Sequence, residues 1–164
     1  MENIDKTSTS ELVKKLAEKL IASKKTIATA ESCTGGNIAH NITLLAGSSQ
    51  YFLGGIVSYA NEVKMNVLGV HKDDLDKYGA VSQAVVESMA TGACKTIGSD
   101  YSVATSGIAG PGGGSEEKPV GTVWMAVSDG KKVVSKKWNF DGSREEIIEK
   151  ATKTAIFMLL EIVC

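Results

Sequence analysis

Apolar residues recur at helical spacing in three segments of the chain, and each segment begins at a capping residue. Ser8 and Glu11 have the spacing of a capping box and predict a first helix over about residues 9–23. Ser82 is in position to cap a second long helix, and Ser143 with Glu146 forms another capping box before the last one. The core positions of the three helices are Leu12, Val13, Leu16, Leu20 and Ile21; Val86, Met89, Ala90, Ala93 and Ile97; and Ile147, Ala151, Thr154, Met158 and Ile162.

Short apolar runs lie between these helices. "KTIATA", "YFLGGIVSY" and "YSVATS" are typical of strands, and "TVWMAV" and "KKVVSKKWNF" flank Ser-Asp-Gly, which predicts a β-hairpin. Two shorter helices are predicted, one that follows the first strand and ends at Gly47, and one in "NEVKMNVLGV" that Gly69 closes. The segment "GIAGPGGGSEEKPVG", residues 107–121, contains too much glycine and proline for regular structure, and we call it the glycine loop.

The alternation of helices and short apolar strands predicts an α/β fold with a mixed, mostly parallel sheet, helices on both faces and one hairpin. A chain of 164 residues with 43% hydrophobic and 23% charged residues has the composition of an ordinary globular protein. We therefore expect residues 1–164 to form a single domain.

Charge and cysteine content narrow the classes of partner. The chain has 18 basic and 19 acidic residues, a formal charge of -1, so it lacks the positive field that drives nucleic-acid binding. Charges interrupt the N-terminal segment and no apolar run has the length of a membrane helix, so we expect a cytoplasmic protein without membrane contact. Three scattered cysteines and two histidines support neither a disulfide framework nor a metal site.

The turn "ESCTGG" after the first strand is a candidate for nucleophilic chemistry. Ligands of α/β folds gather beyond the carboxyl ends of strands, where glycines let a substrate approach and free amides can stabilise an oxyanion. Ser32 would then be the nucleophile. Two alternatives remain open from the residues alone: Ser32 or Thr34 is only a helix cap, or Cys33 is the nucleophile, although nothing in the sequence nearby activates its thiol.

A nucleophilic serine needs a base, and a buried, neutral lysine can replace histidine in that role. The segment "VSYANEVK" supplies Tyr59 at a strand end and Lys64 in the first turns of a helix, so Lys64 can take the serine proton directly or through Tyr59. The alternative is that Tyr59 is an interfacial aromatic residue and Lys64 a solvated lysine.

Two further segments offer groups for binding an anion. Thr105 and Ser106 end another strand, and the backbone amides of the glycine loop could form an anion nest, although the loop matches neither GxGxxG nor a P-loop. Arg144 at the start of the last helix could clamp a phosphate. The loop could equally be a mobile surface loop, and the arginine could simply be solvated.

Six motifs in this order resemble the CinA C-terminal domain family, which includes stand-alone nicotinamide-mononucleotide amidases: "TAESCTGG", "GGIVSYANEVK", "LGV", "YGAVS", "SGIAGPGGGSEEKPVGTVW" and "FDGSREEI". The resemblance runs from about Leu12 to Ile162. It implies an α/β fold and a homodimer or higher homo-oligomer. It also implies hydrolysis of the carboxamide of nicotinamide mononucleotide, a nucleotide substrate, to nicotinate mononucleotide and ammonia, without metal or organic cofactor.

Carried over onto this sequence, the resemblance makes Ser32 the nucleophile and Tyr59 with Lys64 the proton-transfer pair. The positions that it assigns to substrate binding are Thr34, Gly35, Gly36, Thr105, Ser106, Gly107 and Arg144. Family members often have a second arginine four residues after the first, where this chain has Ile148. The larger CinA proteins add an N-terminal domain, and its activities are not carried over.

Two alternative functions remain from the sequence. A non-catalytic nucleotide-binding or regulatory module would keep the fold and the pocket, and it would bind a nucleotide without releasing ammonia. An amidase of another pyridine-nucleotide amide would keep the chemistry and change the substrate.

Overall fold

In the computed structural model, which describes residue 4 and residues 6–164, helices and short strands alternate along the chain. The elements that lie wholly within these residues are α1 (Thr9–Ser23), β1 (Ile27–Glu31), α2 (Asn37–Thr43), a 3-10 turn (Ser48–Gln50), β2 (Phe52–Val57), α3 (Asn61–Leu68), α4 (Lys72–Tyr78), α5 (Gln83–Ile97), β3 (Tyr101–Gly107), β4 (Thr122–Ser128), β5 (Val133–Asn139) and α6 (Arg144–Ile162).

The strands form one mixed sheet in the order β2-β1-β3-β4-β5. β1 is parallel to both β2 and β3, whereas β4 is antiparallel to both β3 and β5. The α/β class and the mixed sheet are confirmed, as is the hairpin, but the pairings divide evenly between parallel and antiparallel. Both antiparallel pairings involve β4, which runs against β3 after the glycine loop and against β5 across the hairpin.

Helices cover both faces of the sheet, as predicted. On one face α1, α2 and α6 pack on larger side chains that include Ile27, Val103 and Met125. On the other face the sheet presents alanines, and α5 with residues of α3 packs on them. Small side chains on this second face allow the helices to approach the sheet closely.

α3 and α5 are in especially close contact at Gly92. A Cβ atom added to Gly92 would lie 1.9 Å from the backbone oxygen of Leu68, the last residue of α3. Only glycine therefore fits at this point of α5. The contact fixes the position of α3, which is the helix that includes Lys64.

The predicted helix boundaries are largely confirmed. Both capping boxes are present, at Ser8 with Glu11 and at Ser143 with Glu146, and the Ser82 hydroxyl accepts a hydrogen bond from the Val85 amide. The helix after the first strand, α2, ends at Thr43 rather than at the predicted Gly47, because a 3-10 turn follows.

The structure differs from the predicted apolar pattern of the helices in two further ways. Periodicity does not predict α4, because this seven-residue helix contains no buried residue and so has no apolar face to detect. Of the predicted core positions, Ile21 is exposed, and Ile97, Met158 and Ile162 are only half-buried. In α6, Leu159 and Leu160 are buried instead. Within the described residues, no helix combines the length and apolar character that crossing a membrane requires.

Candidate active site

The turn that follows β1 places Ser32 at the carboxyl end of the sheet. The Ser32 amide donates to the Thr105 oxygen of neighbouring β3 over 3.0 Å, and the Gly35 amide donates back to the Ser32 oxygen over 3.0 Å. Gly35 and Gly36 have φ angles of +59° and +99°, which glycine adopts without the steric cost that other residues meet. These bonds fix the turn against the sheet.

Lys64 lies beside Ser32 and is almost inaccessible to solvent, with 1% of its surface exposed. Its Nζ is 3.1 Å from Ser32 Oγ, 2.6 Å from the Ser58 oxygen and 3.3 Å from the Tyr59 oxygen. None of the ion pairs in the described part of the chain includes Lys64. Because burial penalises the ammonium, the pKa of Lys64 is lowered from the ordinary lysine value. A neutral amine at this position can accept the Ser32 proton.

The chain brings Lys64 to Ser32 through the connection between β2 and α3. The Ser58 amide donates to the Glu31 oxygen over 2.8 Å, which continues the parallel β1-β2 pairing by one residue. α3 then begins at Asn61 and packs on α5 through Gly92. The lysine therefore reaches back to the turn from a helix whose two ends are both held.

Ser32 and Lys64 line a cavity of about 290 Å³. Its walls come from the turn after β1, from Tyr59 and Asn61, from residues 80 and 81, from the first half of the glycine loop, and from Arg144. This volume is close to the lower end of the range of roughly 300–1,000 Å³ that is usual for small-molecule sites. The cavity lies where the parallel strands end, which is the usual position of ligands in α/β folds.

Arg144 and Tyr59 meet at the rim of this cavity. Arg144, the only arginine in the sequence, donates from Nη1 to the Gly110 oxygen over 2.7 Å and from Nη2 to the Tyr59 hydroxyl over 3.1 Å. The arginine thus joins the start of α6 to the glycine loop and to the connection before α3. Tyr59 is 62% exposed, and its hydroxyl contacts Arg144, whereas its contact with Lys64 is made by the backbone oxygen.

Comparison with known proteins identifies the family of the chain. The family model of the CinA C-terminal domain matches residues 9–163. The chain belongs to the CinA C-terminal domain family. It is 46% identical over 147 residues to the nicotinamide-nucleotide amidohydrolase PncC of Escherichia coli strain K12, and the match covers 89% of each chain.

Other members of the CinA family are longer. The chain is 49% identical over 140 residues to a CinA-like protein of Endomicrobium trichonymphae, and the match covers 85% of this chain and 33% of that protein. The chain thus spans about one third of the length of several curated relatives that it matches.

Solved CinA structures share the fold. The competence damage-inducible protein A of Klebsiella pneumoniae subsp. pneumoniae MGH 78578 superposes with a TM-score of 0.92 at 38% identity, covering 95% of this chain and 97% of that one. The competence/damage inducible protein CihA of Agrobacterium tumefaciens has a TM-score of 0.91 at 39% identity, covering 93% and 94%.

The structure separates the binding residues that the CinA resemblance predicts into two sets. Ser106, Gly107 and Arg144 line the cavity, and Thr34, Gly35, Gly36 and Thr105 do not. Side chains alternate along a strand, so the consecutive residues Thr105 and Ser106 project to opposite faces of β3 and only one can face the cavity. Ser106 donates its hydroxyl proton to the Ala80 oxygen over 2.7 Å and so also joins two walls of the cavity.

Thr34 and Thr105 instead join the turn to β3 beneath the surface. Thr34 is buried, its hydroxyl donates to Glu31 over 2.7 Å, and it is 2.8 Å from the Thr105 hydroxyl. Because the Thr34 proton is directed to Glu31, Thr105 is the donor in this second bond. These residues support the turn rather than present hydrogen-bonding groups to a ligand.

Glu31, the last residue of β1, was not singled out from the sequence, and its side chain contacts the first turn of α2. Its carboxylate accepts from the amides of Ile38 and Ala39 over 2.9 and 3.0 Å. The expectation that the amides at this helix end are free for an oxyanion is therefore corrected. In the turn, the amides of Cys33 and Thr34 have no acceptor among the described residues, and Cys33 lines the cavity. The signal in the sequence was an acidic residue at the end of the buried run "IATAE".

The other candidate nucleophile and bases are poorly suited to the chemistry. Burial raises the pKa of the Cys33 thiol to about 12, and the negative charge of Glu31 adds to that effect, so Cys33 stays protonated. His40 and His71 are exposed and do not line the cavity. The described residues contain no group of three or more His, Cys, Asp or Glu side chains that could hold a metal ion.

A larger cavity of about 740 Å³ lies on the other side of Val81, which lines both cavities. Trp124, Tyr78 and Lys118 are among its lining residues, and Lys118 Nζ donates to the Tyr78 backbone oxygen over 2.6 Å. Among its described lining residues, no hydroxyl group lies beside a buried lysine as Ser32 lies beside Lys64. The smaller cavity is therefore the better candidate for catalysis.

Proposed function

We propose that the protein hydrolyses the carboxamide of nicotinamide mononucleotide to nicotinate mononucleotide and ammonia, with Ser32 as the nucleophile and Lys64 as the base. The observation that carries the proposal is the 3.1 Å contact between Lys64 Nζ and Ser32 Oγ at the wall of a ligand-sized cavity. The choice of substrate rests on similarity to the Escherichia coli nicotinamide-nucleotide amidohydrolase along 89% of both chains.

The surroundings of Lys64 suit direct proton transfer from Ser32. A neutral amine has two N–H donors and one lone pair. The backbone oxygens of Ser58 and Tyr59 accept two donors, and Ser32 occupies the third direction, so the lone pair is left for the serine proton. Tyr59 then contributes its backbone oxygen to orient the base, and its hydroxyl acts at the rim with Arg144 rather than as a relay.

The reaction follows in two halves. Lys64 removes the Ser32 proton as Oγ attacks the carboxamide carbon, and the unoccupied Cys33 amide stabilises the oxyanion. The C–N bond breaks, Lys64 returns the proton to the leaving nitrogen, and ammonia departs from a nicotinoyl ester of Ser32. Lys64 next removes a proton from water, which attacks the ester. The carboxylate leaves and Ser32 recovers its proton, so each cycle consumes one water molecule.

Arg144 would bind the phosphate of the nucleotide. Its guanidinium is at the rim of the cavity, and two parallel N–H donors can bind a phosphate bidentately in place of the Gly110 oxygen and the Tyr59 hydroxyl. Ile148 follows one turn later where many family members have a second arginine, so the phosphate would depend on Arg144 alone.

The test is ammonia release by the purified protein from nicotinamide mononucleotide, nicotinamide riboside and nicotinamide, with Ser32→Ala in parallel and folding checked by circular dichroism. We expect release by the parent, preference for the mononucleotide and no release by the variant. Thermal stabilisation by the nucleotide without ammonia from either protein would favour the non-catalytic binding module. Equal rates with the riboside would contradict the phosphate role of Arg144 and favour another amide as substrate.

A further inference from the structure

Glu31 is a buried carboxylate with no cationic partner in the described part of the chain. Only 1% of its surface is exposed, and the ion pairs among the described residues do not include it. Burying an ionised carboxylate is costly unless hydrogen bonds replace its hydration. Three donors do so here: Thr34 Oγ1 and the Ile38 amide bond Oε1, and the Ala39 amide bonds Oε2. Both oxygens accept from backbone amides.

The backbone of Glu31 is connected to Lys64, and its side chain is connected to the turn that contains Ser32. Its backbone oxygen accepts the Ser58 amide over 2.8 Å, and the Ser58 oxygen in turn accepts Lys64 Nζ over 2.6 Å. Its side chain holds Thr34, two residues after Ser32, and the first turn of α2. One residue therefore positions the segment that orients the base and closes the turn that includes the nucleophile.

A cap alone does not require this arrangement. The two capping-box glutamates, Glu11 and Glu146, are exposed and bond the N-cap residue of their own helix. Glu31 caps α2 from the neighbouring strand, which places its charge inside the protein and joins strand, turn and helix at one point. That difference is expected if Glu31 holds the turn rigidly in addition to capping the helix.

We propose that Glu31 is a positioning residue for catalysis, and that its carboxylate holds residues 32–36 so that Ser32 Oγ stays within hydrogen-bond reach of Lys64 Nζ. This inference rests on the proposed roles of Ser32 and Lys64. A neutral amide cannot replace the carboxylate. The NH₂ group of glutamine would face the N–H of Ile38 or of Ala39, so two buried donors would meet with no acceptor between them.

The test compares Glu31→Gln with the matched control Glu11→Gln, which removes a capping carboxylate far from the cavity. We expect Glu31→Gln to lower kcat by about 10- to 100-fold per folded molecule with KM changed by less than about threefold, since a small misplacement of reacting groups costs rate rather than binding. Glu11→Gln should change neither constant. A purely structural role would lower the melting temperature and leave kcat per folded molecule unchanged, which would overturn the inference.

Thr34 provides a second, milder pair of variants if Glu31→Gln does not fold. Thr34→Val removes one donor to Glu31, and Thr34→Ser keeps the hydroxyl. We expect the valine variant to lose rate and the serine variant to retain it. Equal activity of the two variants would contradict the positioning role.

A substrate-independent readout separates this inference from the proposed function. An alkyl fluorophosphonate forms a P–O bond with an activated serine and loses fluoride, and mass spectrometry locates the adduct. If the parent neither labels at Ser32 nor releases ammonia, the proposed function fails and the role of Glu31 fails with it. If the parent does both and Glu31→Gln matches its labelling rate and kcat, only the role of Glu31 is overturned.

Discussion

The floor of the candidate site, formed by Ser32 and Lys64, and its rim, formed by Arg144 and Tyr59, are built in opposite ways. The floor is held by backbone groups of three adjacent strands, and Lys64 is 1% exposed. The rim is exposed and joins segments far apart in the sequence, since the Arg144 contacts span 34 and 85 residues. Rigid, dry surroundings suit bond-making, and an exposed guanidinium suits capture of an anion from water.

The same contrast decides the charge of each basic side chain. Burial lowers the pKa of Lys64 and favours the neutral amine that a base requires. Arginine remains charged in proteins, and Arg144 is exposed, so it can act as a permanent cation. If this comparison is right, changes in the floor should alter kcat and changes in the rim should alter KM.

The largest effect is expected from Lys64→Met, which removes the base and retains an apolar chain of similar length. We expect kcat/KM for ammonia release to fall by a factor of about 100 or more. Nucleotide binding, measured as a thermal shift, should persist because the rim is intact. The exposed Lys95→Met is the matched control and should behave like the parent. Near-normal turnover by folded Lys64→Met would contradict the role of Lys64 as the base.

The pH dependence should reveal the same base. Only the neutral form of Lys64 accepts a proton, so kcat/KM should rise as pH increases through its lowered pKa, about tenfold per pH unit below that pKa, and level off below the usual lysine value of about 10.4. The folded state binds fewer protons at Lys64 than the unfolded chain does between these two values. The contribution of Lys64 to the unfolding free energy should therefore rise with pH there. A rate that falls with rising pH over this range would contradict the assignment.

Arg144→Gln tests the rim. If Arg144 binds the phosphate as proposed, loss of its two charge-assisted bonds should raise KM for nicotinamide mononucleotide by about tenfold or more, while kcat changes little. Nicotinamide riboside, which has no phosphate, is the internal control and should react equally well with parent and variant. A fall in kcat with unchanged KM would mean that the rim contributes to the chemical step.

The smallest effect is expected from Tyr59→Phe, which removes one hydroxyl that accepts from Arg144. With direct proton transfer, kcat should stay within about fivefold of the parent, because removing one hydrogen bond at an exposed site costs about 1 kcal/mol or less. Steady-state kinetics would decide. A drop as large as the one expected for Lys64→Met would restore Tyr59 as a proton relay.

The sequence predicts much of the floor, because its residues follow clear strand, turn and helix signals. Ser32 and Lys64 each lie at a strand end or helix start, but their meeting depends on the order β2-β1-β3, which local patterns do not contain. Glu31 was missed because acidic residues are almost never fully buried, so composition argues against the position that it occupies.

The rim is less predictable. The contacts of Arg144 depend on how the glycine loop folds over the sheet, and no periodic pattern describes that loop. Thr34 and Thr105 were assigned to substrate binding from their positions in motifs, whereas the face of a strand on which a side chain lies is fixed by pairing and packing.

Gly92 makes the position of the base depend on a helix that does not line the cavity. Since the backbone of α3 rests directly on α5, a methyl group at Gly92 would push Leu68, and with it the helix of Lys64, away from α5. Activity can therefore be altered from a surface that no substrate touches. A laboratory search for faster or slower variants should include the α3-facing positions of α5 as well as the cavity wall.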